Sequence, residues 1–188
     1  MRPGVFLDRD DTLIRCRELP APAAPARPGD LVDPALVELL PGVGEACAAL
    51  KRAGFTLVVV SNQGVVARGG LGLAGVETIH DRVRSLVGAR TIDAFYYCPY
   101  HPEAPPGRFS REHPWRKPAG GMVWAAAREL GIDPASSWLV GDGERDAEAG
   151  VAGGIARERC LRVGPGADLP DLAAALGRIL APRQQPAL

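Results

Sequence analysis

Asp8, Asp10 and Asp11 crowd three carboxylates into four positions, immediately after the apolar run Val5-Phe6-Leu7. Like charges held this close repel one another, so unless the cluster is solvated it calls for a cation or a shared proton. By itself such a cluster reads as a solvated acidic turn after a strand. Three further groups change that reading. Ser61-Asn62-Gln63-Gly64 offers a hydroxyl and backbone N–H groups that could hold a phosphate oxygen. Arg116-Lys117-Pro118 brings two cations ahead of a helical stretch. Val140-Gly141-Asp142-Gly143-Glu144-Arg145-Asp146 places a second acidic group on a Gly-flanked turn. Taken singly these are an ordinary strand-to-loop turn, a solvated basic pair and a helix N-terminus with acidic first-turn residues.

What joins them is the pattern of elements. Short apolar runs at Gly4 to Leu7, Phe55 to Val60, Asp93 to Tyr97, Ser137 to Val140 and Cys160 to Val163 are separated by helix-length stretches. That alternation predicts an α/β fold, a doubly wound parallel sheet with helices on both faces. Val43, Ala46, Cys47 and Leu50 repeat at helical spacing, as do Leu169, Leu172, Leu176 and Ile179, so both stripes are expected to face the core. Helices are also expected over Ala74 to Val87, Gly121 to Leu130, stopped by Gly131, and Glu144 to Ala152.

Glu18 to Pro34, with five prolines, reads as an exposed flap, and Cys98 to Pro118, with six, as a long loop. Gly64 to Gly75 reads as irregular and the tail after Ala181 as frayed. Residues 1–188 thus form one expected domain, with flap or loop insertions near 15–34 and 98–118 and no large cap. In an open sheet of this kind ligands bind beyond the carboxyl ends of the strands. All four chemical groups fall there, in the order acid, hydroxyl, lysine, acid.

In this order the motifs resemble the haloacid dehalogenase superfamily of phosphohydrolases, with the match running from Val5 to about Gly153. Phe6-Leu7-Asp8-Arg9-Asp10, Leu40-Pro41-Gly42-Val43, Ser61-Asn62-Gln63-Gly64 with Ala67-Arg68-Gly69, and Arg116-Lys117-Pro118 are similar to the subfamily of heptose bisphosphate and histidinol phosphatases. The resemblance implies a Mg²⁺-dependent phosphatase for a small phosphorylated metabolite, first of all D-glycero-D-manno-heptose 1,7-bisphosphate at its 7-phosphate. It implies Asp8 as nucleophile and Asp10 as general acid and base. Magnesium would be held by the Asp8 carboxylate, the Asp10 carbonyl and the Asp142 carboxylate, with Asp146 behind them. Ser61 and Lys117 would hold the phosphate, and Asn62, Arg68 and Arg116 would face the substrate.

The chain departs from that pattern at three places. Asp11 stands where the family usually has Gly, and Gly143 where the heptose bisphosphate enzymes carry Lys. The third loop of many relatives holds four zinc ligands, Cys-x-His and Cys-x-Cys, before Arg-Lys-Pro. Here Cys98 survives, while Tyr100, His113 and Trp115 fill the other places. Structural zinc is therefore not expected, the remaining route being Cys98, His101 and His113 with a fourth group such as Glu112. The loop is expected to be held instead by its prolines and by Tyr100, Phe109 and Trp115.

Lys plus Arg equals Asp plus Glu at 22 each, and no basic stripe with interleaved aromatics occurs, so neither nucleic acid nor an anionic membrane is an expected partner. The longest apolar run, Phe55 to Val60, is too short to span a bilayer. A cytoplasmic monomer with reduced core cysteines is expected. His80 is expected on the surface, and Trp124 and Trp138 in the core. Histidinol phosphate or another small monoester is the alternative substrate. From another class, a receiver module phosphorylated on Asp shares an acidic cluster, a hydroxyl and a lysine, but takes its phosphate after the third strand, where this chain has Tyr97-Cys98-Pro99. A catalytically silent phosphate-binding protein is disfavoured by the filled catalytic positions.

Overall fold

The computed structural model describes residues 1–181; the tail expected to fray lies outside them. Five parallel strands, β1 (Gly4–Leu7), β2 (Thr56–Asn62), β3 (Ala94–Cys98), β4 (Trp138–Gly141) and β5 (Cys160–Arg162), form one sheet in the order β3-β2-β1-β4-β5. Helices α1 (Val43–Arg52), α2 (Gly64–Ala67), α3 (Leu73–Val87), α4 (Gly121–Leu130), α5 (Glu144–Ala152) and α6 (Leu172–Leu180) connect and flank it. Because β1 lies between β2 and β4, the crossovers leave it in opposite directions and open a crevice at its carboxyl end.

The strands are apolar throughout because both faces are covered. Val5, Leu7, Leu57, Val59 and Val140 pack with α1, α3 and α6, through Cys47, Leu50, Ile79, Val83, Ala175 and Ile179. Phe6, Val58, Val60 and Leu139 pack on the other face with Met122, Val123, Ala126 and Ala147 of α4 and α5. In α1 the buried positions are Val43, Ala46, Cys47 and Leu50, the spacing of one helical face. Gly131 ends α4 in the left-handed region at φ 65°, where a Cβ would be strained.

Several sequence expectations need correction. β2 extends two residues further than expected, through Ser61 and Asn62, because its ladder with β3 continues to the Asn62–Cys98 pair. The stretch read as irregular contains α2, whose Val65 and Val66 are buried. Leu169 precedes α6 rather than lying in it. His80, expected on the surface, is fully buried on the core face of α3, stacked on Phe95 at 4.7 Å and against the edge of Tyr97 at 5.3 Å. It shares the i, i+3, i+4 register of Val76, Ile79 and Val83, and a neutral imidazole packs as an aromatic. Trp124, expected in the core, is 70% exposed because it lies on the face of α4 opposite the buried Met122 and Ala126. Trp138 is half-buried, with Arg159 over its ring. All four cysteines are buried and free.

Two loops wall the crevice, and no separate cap stands over it among the described residues. The flap from residue 15 to residue 34 is not a free loop. Its Ala26 joins Val65, Val66 and Val76 in a small cluster that also receives Val32 and Phe109. The loop between β3 and α4 is built around Tyr100, which stacks on His113 at 4.2 Å, meets the edge of Phe109 at 5.3 Å and lies beneath Arg111.

Candidate active site

The ends of β1, β2 and β4 and the loop after β3 deliver groups to the crevice. The Asp8 N–H donates to the Val140 carbonyl at 2.9 Å, so β1 stays paired with β4 up to the first acidic residue. Asp142 follows β4 directly. The Asp146 side chain folds back from the first turn of α5 and its Oδ2 accepts the Gly143 N–H at 2.9 Å. Gly141 permits this fold-back: a Cβ there would lie 2.4 Å from the Asp146 Cβ.

Lys117 reaches the same point from the third loop and is buried. Its Nζ lies 2.6 Å from Asp8 Oδ1, 2.6 Å from Asp146 Oδ1 and 2.9 Å from the Val60 carbonyl. Burial alone would lower the lysine, but Asp8 and Asp146 outweigh it and hold the ammonium firmly charged. One cation does not balance the acids around it. Burial, aided by Asp146 and Asp10 and opposed by Lys117, pushes Asp8 up to about 7. Asp142 is also raised, by burial first and then by Asp146.

Asp8, Asp142 and Asp146 each offer an oxygen within 4.8 Å of the others, the grouping among the described residues that could hold a metal ion. Asp142 Oδ1 is buried and has no hydrogen-bond partner. An unpartnered carboxylate oxygen beside two more carboxylates fits a hard divalent cation with oxygen ligands. The two oxygens of Asp146 are engaged by Lys117 and Gly143, which leaves Asp8 and Asp142 as the more available pair.

Asp10 has a different environment. Arg9, fully buried between the two acids, donates to it through Nε at 2.9 Å and Nη2 at 3.2 Å. Burial would lift the Asp10 carboxyl, yet Arg9, with the Cys16 thiol and the Gln63 amide, holds it below the usual carboxylate range. Gln63 Nε2 donates both to Asp10 Oδ2 at 3.0 Å and to Ser61 Oγ at 2.8 Å, linking the end of β2 to the acidic turn.

Ser61 and Lys117 therefore converge with the acids. Asn62 lies at the rim, where its amide binds the Lys117 backbone. Arg116 donates to the Tyr100 carbonyl at 3.1 Å and lines the cavity. Arg68 lines it too, but is tied to Asp30 of the flap at 2.6 Å. The cavity measures about 490 Å³ and is bounded by Asp10, Asn62, Arg68, Arg116, Asp142 and Arg145, among others.

Four residues at this place were not singled out in the sequence: Arg9, Gln63, Arg17 and Arg145. Strand alternation turns Arg9 away from Asp8, a signal available in the D-x-D spacing, and Gln63 adjoins the quoted Ser61-Asn62. Arg17 comes from the flap, and no local pattern announces it. The residues weighed for zinc have separate partners. Cys98 Sγ points at the Tyr100 carbonyl, His113 Nδ1 accepts the Trp115 N–H, and His101 Nδ1 accepts the Glu103 N–H beside the cavity.

Comparison with known proteins places this geometry. The family model of haloacid dehalogenase-like hydrolases matches residues 19–154. The chain is 35% identical over 164 residues to the D-glycero-beta-D-manno-heptose-1,7-bisphosphate 7-phosphatase of Escherichia coli K12, covering 86% of this chain and 80% of that protein. It is 35% identical over 158 residues to the enzyme of the same name from Mesorhizobium japonicum, covering 82% of this chain and 67% of the other. Among solved structures it resembles a HAD-like phosphatase of Mesorhizobium loti, with TM-score 0.78 and 32% identity over 95% of this chain and 84% of that one. It also resembles the D,D-heptose 1,7-bisphosphate phosphatase of B. bronchiseptica complexed with magnesium and phosphate, with TM-score 0.75 and 27% identity over 95% and 98%.

Proposed function

The chain belongs to the haloacid dehalogenase-like hydrolase family, and we propose that it is the phosphatase that removes the 7-phosphate from D-glycero-D-manno-heptose 1,7-bisphosphate. The observation that carries the reading is the buried Asp8 carboxylate 2.6 Å from Lys117, beside Asp142 and at the carboxyl end of β1. A phosphate monoester at neutral pH is an anion, and a carboxylate attacks it only where positive charge offsets the repulsion. Lys117 supplies part of that charge. The Asp8 and Asp142 carboxylates and the Asp10 carbonyl would hold magnesium, which would supply the rest.

Asp8 attacks phosphorus in line, forming an O–P bond while the bond to the sugar oxygen breaks. Asp10 gives its proton to that departing oxygen. Arg9 keeps Asp10 ionised in the free site, so the proton arrives with the substrate: a monoester bound as its monoanion carries one. Water then attacks the aspartyl-phosphate, Asp10 takes its proton and passes it to the inorganic phosphate, which leaves with Asp8 and Asp10 both restored as carboxylates. Ser61 donates to a phosphate oxygen, and Gln63 holds it in register with Asp10. Asp146 fixes Lys117 from behind, and Arg116 faces the sugar.

The test is phosphate release across heptose bisphosphates, hexose phosphates, histidinol phosphate and nucleotides, each with magnesium and with excess chelator. Preference for a heptose 1,7-bisphosphate, lost in chelator, is expected. Preference for histidinol phosphate would reassign the substrate within the subfamily. Full turnover in chelator would overturn the magnesium role.

A further inference from the structure

Asp142 lies between two guanidinium groups. Arg17 Nη2 is 2.9 Å from its Oδ2, and Arg145 Nη2 is 3.8 Å from its Oδ1. In the reaction above Asp142 would also be a ligand of the metal, which would draw its carboxylate away from both guanidinium groups. Both arginine side chains are more than half exposed, at 53% and 56%, and both line the 490 Å³ cavity. Arg68 and Arg9 differ from them in being largely buried and in direct contact with carboxylates that are not metal ligands in that reaction, Asp30 and Asp10.

The position of Arg17 is built by Asp11. Asp11 adopts φ 56°, and among the described residues no other non-glycine has a positive φ. A left-handed turn of this kind costs an L-residue roughly 1–2 kcal/mol. The side chain offsets that strain: its Oδ1 accepts the backbone N–H of Cys16 at 3.0 Å and of Arg17 at 2.9 Å, and its Oδ2 lies 3.8 Å from the Arg17 guanidinium. The start of the flap is thereby wound around one carboxylate, and Arg17 is aimed over Asp142.

We infer that Arg17, assisted by Arg145, binds a second anionic group on the substrate, and that Asp11 is the positioning residue that holds Arg17 on the flap side of the cavity. The inference rests on the phosphatase reading and adds to it the residues that would meet the second phosphate of a bisphosphate substrate. As substrate enters, Arg17 exchanges the Asp142 oxygen for the incoming group, which a planar guanidinium grips through paired N–H donors.

The test uses the full chain with magnesium, p-nitrophenyl phosphate as a probe with one anionic group and fructose 1,6-bisphosphate as a probe with two. Arg17→Ala is expected to lower the ratio of kcat/KM for the bisphosphate over the monoester by roughly 10- to 100-fold, the loss of one hydrogen bond to a charged group. The change should appear chiefly in KM, and Arg17→Lys should recover part of it. Asp11→Gly should lower the ratio in the same sense. Asp11→Asn, whose amide oxygen still accepts both N–H groups, should lower it less. A ratio unchanged in Arg17→Ala, or equal losses with both probes, overturns the inference and leaves the phosphatase reading intact. If the parent hydrolyses neither probe, calorimetric titration of fructose 1,6-bisphosphate into Asp8→Asn, with and without Arg17→Ala, still decides it. Equal Kd values overturn it, and a weaker Kd with Arg17→Ala supports it.

Discussion

Asn62 and Lys117 are tied to each other through two hydrogen bonds: Asn62 Oδ1 accepts the Lys117 N–H at 2.9 Å, and Asn62 Nδ2 donates to the Lys117 carbonyl at 3.0 Å. The end of β2 thus grips the backbone of the residue whose ammonium stands between Asp8 and Asp146. Asn62 positions the lysine from a place where the sequence suggested contact with substrate. Asn62→Ala removes both bonds, a loss of about 1–3 kcal/mol, which lowers Tm by on the order of 5 °C. It should also lower kcat, because Lys117 loses its fixed distance to the transferring phosphate. Melting curves and steady-state rates on the same preparation check this. Unchanged kcat with a lowered Tm would confine Asn62 to a structural role.

Asp8→Asn is expected to fold and to show no measurable turnover, because an amide is neither a competent nucleophile nor a good magnesium ligand. Asp10→Asn should still bind substrate and lose a factor on the order of 10² to 10⁴ in kcat, the usual worth of general acid–base catalysis. A sugar phosphate, with its poor leaving group, should suffer more than an aryl phosphate. Equal losses with both substrates would remove Asp10 from the proton-transfer role.

Much of this arrangement is readable from residue type and order. The apolar strand runs, the acids after β1 and β4, and Lys117 ahead of α4 follow from periodicity and punctuation, which are local. Arg17 and Asp30 show where that reading stops. Their partners are Asp142 and Arg68, brought to them only when the flap folds back across the crevice. His80 fails for another reason: its helical register marked the core face, but a titratable residue type argued for the surface. Trp124 is the converse, an apolar type on the solvent face of α4. In both cases register, set by the 3.6-residue period, prevailed over residue type.

His80 carries a pH prediction. Burial first, and then the nearby Arg9 charge, push its imidazole down to about 3, and neither ring nitrogen has a hydrogen-bond partner. An unfolded histidine titrates near ~6.5. Between these values the unfolded chain binds a proton that the folded chain refuses, so stability falls as pH falls, by about 1.4 kcal/mol per pH unit. His80→Phe keeps the stacked ring and removes this slope. Denaturant unfolding of parent and variant from pH 7.5 to pH 5 should show the variant gaining on the parent steadily below pH 6.5. Parallel curves would mean that His80 is protonated in the folded protein.

The third loop carries the last prediction. Cys98, Tyr100, His113 and Trp115 fill the places where the resemblance to heptose bisphosphate phosphatases implies four zinc ligands. Here Tyr100 stacks on His113, Trp115 lies against Tyr96 at 5.8 Å, and Ser110 Oγ donates to the Ala104 carbonyl at 2.7 Å. Aromatic contacts of this kind contribute about 0.5–1.5 kcal/mol each beyond the area they bury, enough together to order a proline-rich segment whose own entropy is already reduced. Protein purified without added metal or chelator is therefore expected to contain far less than one zinc per chain, and chelator should leave its Tm unchanged in the absence of magnesium. Tyr100→Ala, by contrast, should lower Tm and expose the loop to limited proteolysis. Near-stoichiometric zinc by elemental analysis, lost in Cys98→Ala, would instead assign Cys98, His101 and His113 to a metal that orders the loop.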